Sequence, residues 1–354
     1  MNTIESGSRN PHLLSEIWHL ASGIWYLVFA VWYLLSAMRI INISVPTPFP
    51  VGPVNCYLLA EDPLTLIDTG PKTKEAITAL REGLRRAGVR VSDLRRIILT
   101  HTHEDHCGLA KTLRDEAKDA EVLVHGWENG HKAARLEYAE TRALLARAGV
   151  PDKEIAELRL MYEGVRGYAD ELADSDCREL VDEEELLFER GALRVLHTPG
   201  HTPGSCSFLR EADRTVFSGD CVLKRITPNP VLSPDPLNPA LRFRSLAEHL
   251  VSLARIRALA PTRVYGGHEA PIDDYEELFN RYYKSVRTRQ AQVIGLIPKN
   301  GATAWDLSHQ LFPGIEPIHR FLAISEAVAH LDYAEHEGKL GVEWRDGVEI
   351  YRAA

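Results

Sequence analysis

Thr100-His101-Thr102-His103-Glu104-Asp105-His106-Cys107-Gly108 is the stretch on which the reading of this chain turns. It follows Arg96-Ile97-Ile98-Leu99, an apolar run that reads as a buried strand ending in a turn. In an extended segment, residues two apart project to the same side. His101 and His103 can therefore grip one metal ion together, while a turn just after them aims Asp105 and His106 at a second.

Three more fragments repeat the pattern of an apolar run delivering a polar side chain at its end. His201 stands in the turn-rich Thr198-Pro199-Gly200-His201-Thr202-Pro203-Gly204, after the run at 193–197. Asp220 closes Thr215-Val216-Phe217-Ser218-Gly219, and His268 closes Arg263-Val264-Tyr265-Gly266-Gly267. A lone His-x-His is commonly a surface pair; four strand ends each offering a ligand are not explained that way. Neutral imidazole suits zinc, iron or copper, and carboxylate adds the negative charge and bridging capacity that hold two dications close together. The expected cofactor is a pair of divalent ions, zinc first, with iron or manganese as alternatives. Asp220 is the natural bridge, and the chemistry is attack by a metal-bridging hydroxide, hence hydrolysis.

The residues T-H-T-H-E-D-H-C-G match the T-H-x-H-x-D-H-x-G signature of the metallo-β-lactamase superfamily, and His201, Asp220 and His268 fall in that family's order. The resemblance implies an α/β fold, the four-layer αββα sandwich with two mixed sheets face to face, helices outside and metals at one edge. It implies His101, His103 and His201 around the first metal, Asp105, His106 and His268 around the second, and Asp220 between them. Asp68, in Leu66-Ile67-Asp68-Thr69-Gly70, matches a family aspartate that supports a ligand from behind, a plausible role because metal-bound histidines usually donate their other N–H to an oxygen. Asp105 or a metal-bound water is expected to supply the leaving group's proton. True β-lactamases lack the aspartate that Asp220 supplies, and the flavin-linked relatives carry glutamate where this chain has His103. The pattern resembles the glyoxalase II group, which hydrolyses glutathione thioesters, with lactonases and small endoribonucleases as alternatives. A metal-binding scaffold that recruits a protein partner is the non-enzymatic reading.

The chain has 354 residues, 45% hydrophobic and 26% charged, enough for one large domain and one small one. Its net charge of −9 argues against a polyanion as main partner. A small-molecule thioester or ester is expected instead. The five cysteines are odd in number and show no C-x-x-C spacing, which points to a reducing compartment. Cys107 and Cys221 lie beside ligands and read as packing or supporting residues.

Three regions follow. Residues 1–37 form a hydrophobic extension, and 17–38 is long enough to span a bilayer, with His19 its one side chain that could carry charge near neutral pH. Two readings stand: a membrane anchor, or a cytoplasmic protein whose translation starts at Met38. Residues 38–274 form the catalytic domain, with a helical insertion at about 128–172. Helices are expected over 128–148 and 152–172, broken at Gly149-Val150-Pro151. This pair is a candidate lid, with Leu158, Met161, Tyr162 and Val165 facing substrate or core and Tyr162 a candidate substrate contact. Lys224 and Arg225, just past Asp220, are candidate anchors for an anionic leaving group. A proline-rich loop at 233–239 and a helix over 243–259 lead to the last strand.

Residues 275–354 change character. Helices over 275–297, 302–312 and 318–336 precede a hairpin around Asp346-Gly347, a winged-helix-like domain. A similar tail occurs in the endoribonuclease branch. Here its third helix carries Glu326, Asp332 and Glu335, followed by Glu337, which repel phosphate, so packing or homodimerisation is the expected role.

Overall fold

Strand β1 (Ile40–Val45) opens a six-stranded sheet in the computed structural model, which describes residues 38–128 and 130–353, the side chains of 130–138 and 174 excepted. It pairs antiparallel with β2 (Val54–Leu59), and β2 antiparallel with β3 (Thr65–Ile67). From there β4 (Arg96–Ile98), β5 (Glu121–His125) and β6 (Cys177–Leu180) follow in parallel. The second sheet runs in the order β11-β10-β9-β8-β7, built from β7 (Glu185–Phe188), β8 (Gly191–His197), β9 (Cys206–Arg210), β10 (Thr215–Gly219) and β11 (Arg263–Gly266). Both are mixed sheets, as expected.

The sheets face each other. Tyr57 of β2 meets Phe217 of β10 and Tyr265 of β11 edge-on, each at 5.3 Å between ring centroids, and its hydroxyl donates to the Gly266 carbonyl at 2.7 Å. Helices cover the outer faces. Helix α1 (Lys74–Arg86) begins where the Thr73 hydroxyl accepts the Ala76 N–H, and it buries Ala76, Leu80 and Leu84 on the first sheet. Two further helices follow, α2 (Glu104–Cys107) and α3 (Ala110–Glu116), the latter burying Ala110 and Leu113 in the same core. The second sheet is covered by α6 (Ser245–Ala258) and α7 (Tyr275–Leu296), whose Leu253, Ile256, Leu278 and Phe279 pack on Leu196, Leu209, Val216 and Val264. Each such fully buried aliphatic side chain contributes about 1.5–3 kcal/mol. The result is the αββα arrangement.

Direction of travel places the site. Strands β3 and β4 run together, and β8, β10 and β11 run together because β8 and β10 are each antiparallel to β9 while β11 is parallel to β10. Their C-terminal ends deliver Asp68, Thr100 to His106, the His201 loop, Asp220 and His268. The two sheets are stitched at this rim, where the Asn55 N–H donates to the Gly267 carbonyl at 2.7 Å and the Gly267 N–H to the Gly219 carbonyl at 2.8 Å.

Between the sheets in sequence lie α4 (Gly130–Arg147) and α5 (Asp152–Arg166). They break at Gly149, whose φ of +87° suits glycine and whose added Cβ would stand 2.7 Å from the Thr303 Cβ. Leu144, Leu145, Ile155 and Leu158 share a core with the C-terminal elements: Leu307 of α8 (Ala304–Leu311), Ile324, Val328 and Leu331 of α9 (Arg320–His336), Leu340 of β12 (Leu340–Arg345) and Tyr351 of β13 (Val348–Ala353). Leu158 thus faces core; Met161 and Val165 are half-buried, and Tyr162 is exposed. Three expected helix limits shift. Glu128 stands in a turn before α4. Helix α5 stops at Arg166 because Tyr168 and Asp170 bond to the first sheet's loops, through Lys72 N–H to Tyr168 O at 2.6 Å and Asp170 N–H to Gly108 O at 3.0 Å. Helix α9 is preceded by a 3-10 turn at Pro317–His319. The expected membrane segment lies, apart from Met38, outside the described residues, among which no helix is long and apolar enough to cross a membrane.

One buried ion network ties the C-terminal elements to the loop before α6. The Arg242 guanidinium donates to Asp332 at 2.7 Å, Glu349 at 2.7 Å and the Tyr351 hydroxyl at 3.1 Å, and Arg147 donates to Glu349 at 2.8 Å. Removing one partner of such a buried set strands the others' charge. Arg242→Met is expected to lower stability by roughly 3–5 kcal/mol, read from urea unfolding followed by circular dichroism.

Candidate metal centre

The turn after β4 places His101, His103 and, across the rim, His201 with their nitrogens together. The His103 Nδ1 lies 3.1 Å from His101 Nε2 and 2.9 Å from His201 Nε2. In a tetrahedral zinc site with bonds of 2.0–2.1 Å, ligand atoms stand about 3.3 Å apart, so these separations fit a shared cation after a small outward adjustment. The second set is Asp105, His106 and His268, with His268 Nε2 at 3.4 Å from Asp105 Oδ2. Asp220 lies among them all, its Oδ1 at 3.4 Å from His106 Nε2 and its Oδ2 at 3.7 Å from both His201 Nε2 and His268 Nε2. The seven expected ligands thus converge, in three overlapping groups whose candidate atoms lie within 4.8 Å of one another.

What holds the rings is as informative as what they surround. The His106 Nδ1–H donates to Asp68 at 2.8 Å, and Asp68 also accepts the N–H and hydroxyl of Thr100 at 2.8 and 2.9 Å. Asp68 sits at φ 58°, a left-handed conformation that aspartate tolerates. His201 Nδ1–H donates to the Asn229 carbonyl at 3.0 Å and His268 Nδ1–H to the Pro53 carbonyl at 2.9 Å. His101 Nδ1 meets the Thr100 hydroxyl at 3.1 Å. These outer bonds leave each inner nitrogen aimed into the cluster. There, His106 Nε2, His268 Nε2 and Asp220 Oδ1 are buried without a hydrogen-bond partner. Each such atom costs about 1–3 kcal/mol if left so. Three in one place fit a pair of cations.

The two halves differ electrically. Burial pushes His101 well below the usual imidazole range, helped by neighbouring His106, His103 and His201; burial likewise lowers His103, and burial beside His103 brings His201 to about 4. Burial also opposes charge on His106 and His268, but Asp220 outweighs it, joined by Asp68 and Asp105 at His106 and by Asp105 at His268, and both are held above the usual range. Burial raises Asp220 less than His106 and His268 lower it, so its carboxyl is held well below the ordinary range, and Asp105 is lowered for related reasons.

The other expected residues lie around this core. The Cys107 thiol donates to the Thr102 carbonyl at 3.3 Å, and burial raises it well above its normal range; burial brings Cys221 to about 12. The Lys224 ammonium donates to Pro271 O at 2.9 Å, while the Arg225 main-chain N–H donates to Glu269 at 2.7 Å and its guanidinium stands 3.8 Å from that carboxylate. These contacts place Arg225 beside the residue after His268 without reaching the cluster. Tyr162 lies on the exposed side of α5. Sequence reasoning missed Glu128 and Asn229. Glu128 lies in what reads as the start of a helix, and Asn229 acts through a main-chain oxygen that every residue carries.

In the metal-free protein the second imidazole set holds protons more tightly than the first. Filling the second set should therefore compete with protons more strongly than filling the first. Affinity for the second ion is expected to fall more steeply than that for the first as pH is lowered; calorimetry in buffers of different ionisation enthalpy counts the protons released at each step. Gly267 permits the close approach of its backbone to Asp220 and His106, since an added Cβ would stand 2.3 Å from Asp220 Oδ1 and 2.6 Å from His106 Cε1. Gly267→Ala is expected to keep its circular dichroism spectrum and lose about one metal equivalent by elemental analysis.

A family model described as the metallo-beta-lactamase superfamily matches residues 49–268. The Probable metallo-hydrolase YqjP of Bacillus subtilis (strain 168) is 32% identical over 317 residues, covering 88% of this chain and 97% of the relative. The Beta-lactamase-like protein 2 homolog of Caenorhabditis elegans is 27% identical over 270 residues, covering 75% and 73%. Among solved structures, a metallo-beta-lactamase family protein from Thermus thermophilus aligns with a TM-score of 0.74 at 29% identity, over 89% of this chain and 98% of that one. With the signature residues, the αββα layers and the family match in agreement, the chain belongs to the metallo-β-lactamase superfamily.

Proposed function

We propose that this protein is a binuclear metal-dependent hydrolase that cleaves a thioester or ester, similar in chemistry to hydroxyacylglutathione hydrolysis. The observation that carries this is the set of imidazoles fixed from outside by oxygen acceptors, with the inner nitrogens of His106 and His268 unpartnered beside Asp220. Two divalent ions there, zinc or alternatively iron or manganese, would acidify a water and polarise the carbonyl under attack. Asp68 keeps His106 in one tautomer. The proton that the attacking water loses is passed to the departing sulfur or oxygen, through Asp105 or through water.

Apolar groups beside the loops that hold the rings support an acyl substrate. Phe49 meets Tyr168 edge-on at 5.6 Å, in the loop that ends at Pro53 and so at His268. On the His201 side, Asn229 is flanked by the exposed Ile226, three residues away, and the partly exposed Leu322, whose carbonyl accepts the Asn229 amide at 3.1 Å. Lys224 and Arg225 remain the proposed contacts for the leaving group, and Tyr162 a proposed contact for the substrate. The C-terminal elements, read as winged-helix-like, serve packing or homodimerisation in this proposal: α9 buries Ala323, Ile324, Ala327, Val328, Leu331 and Ala334, which leaves little of it to enter a nucleic-acid groove. Five cysteines with no disulfide among them suit a reducing cytoplasm.

Metal-loaded protein is expected to hydrolyse acyl-glutathione, acyl-coenzyme A or a simple acyl ester. His103→Ala should lower that rate at least about a hundredfold, a ligand mattering no less than its supporting residues. Faster cleavage of single-stranded RNA than of any thioester or ester would overturn the proposal in favour of the endoribonuclease reading, and metal-replete protein inert to all of them would favour the scaffold.

A further inference from the structure

The geometry points to Glu128 as the residue that positions the first metal's three imidazoles, by clamping together the two loops that carry them. This rests on the reading of a dinuclear centre given above. Glu128 is 5% exposed and belongs to neither ligand loop. Its Oε2 accepts the Thr102 N–H at 3.0 Å and the Thr102 hydroxyl at 2.6 Å, and its Oε1 accepts the Gly204 N–H at 2.9 Å. Thr102 lies between His101 and His103; Gly204 follows His201 by three residues. Each oxygen therefore holds one loop.

A carboxylate is what this position requires. Three donors converge on one side chain, so both of its ends must accept, and hydrogen bonds to an ionised acceptor are about twice as strong as neutral ones. Glutamine would turn an NH2 group toward one of the loops. The approach is also tight, since a Cβ on Gly204 would stand 2.6 Å from the Glu128 Cγ. The turn that presents Glu128 is braced: its N–H donates to His125 O at 2.8 Å, and Trp127 packs edge-on against His125 and His197, two rings stacked at 4.2 Å. This stack joins the end of β5 to the end of β8, the strand that leads to His201.

The clamp predicts a selective effect on metal binding. Cobalt(II) titrations of the full chain, followed by absorbance, would be run in a His268→Ala background, which retains the three-imidazole set, and in a His103→Ala background, which retains the other. Glu128→Gln is expected to weaken cobalt binding about ten- to hundredfold in the first background and by less than about threefold in the second, and to shift the ligand-field bands only in the first. Equal affinity with and without Glu128→Gln in the first background would overturn the inference, as would equal weakening in both. Thr102→Val, which removes one hydroxyl, guards against a Glu128 variant that does not fold; it should weaken the first background alone, and no such effect would equally overturn the inference. Failure of the unsubstituted protein to bind cobalt would instead overturn the dinuclear reading.

Discussion

Each imidazole in this centre has two nitrogens, and the molecule depends on what it does with the outer one. Asp68, the Asn229 carbonyl and the Pro53 carbonyl each fix a ring by its Nδ1–H, and the inner nitrogen then has one direction in which to point. Such rings cannot turn away to satisfy themselves, so the unpartnered atoms persist in the fold. The strand directions follow the same demand. Five strands ending on one rim bring together side chains that lie far apart in sequence, and the main-chain bonds of Asn55 and Gly267 keep the two sheets from separating there.

Charge is distributed unevenly across the centre. One triad is made of imidazoles alone, whose crowding and burial disfavour protonation; the other mixes imidazole with carboxylate, which favours it. Asp220 stands between them and faces both. The asymmetry comes from ligand type rather than depth, since both triads are buried to a similar extent.

The candidate site was legible in the sequence because four apolar runs each lead to a polar residue, a pattern that a buried strand seldom shows without a reason. The layered fold was legible only through the resemblance that the signature carries, since apolar runs alone do not say how sheets are stacked. Glu128 was not legible: flanked by Trp127 and an alanine- and leucine-rich stretch, it reads as a helix former, and only the approach of two distant loops gives it donors. Pro53 and Asn229 contribute main-chain oxygens, which no residue type announces. Helix limits moved for local reasons of the same kind, as where Tyr168 and Asp170 leave the helical path to bond with Lys72 and Gly108.

The carbonyl that steadies His201 belongs to Asn229, whose side-chain amide is bonded to Leu322 in the first turn of α9, and three residues on the Leu232 N–H is held by Ser325 of the same helix. The chain's last third is thereby wired to a ring at the reaction centre. Such a tail is not an interchangeable cassette. A chimera that borrowed it from another family member would have to bring along the 226–232 loop as well, and the two segments are best regarded as a single heritable unit.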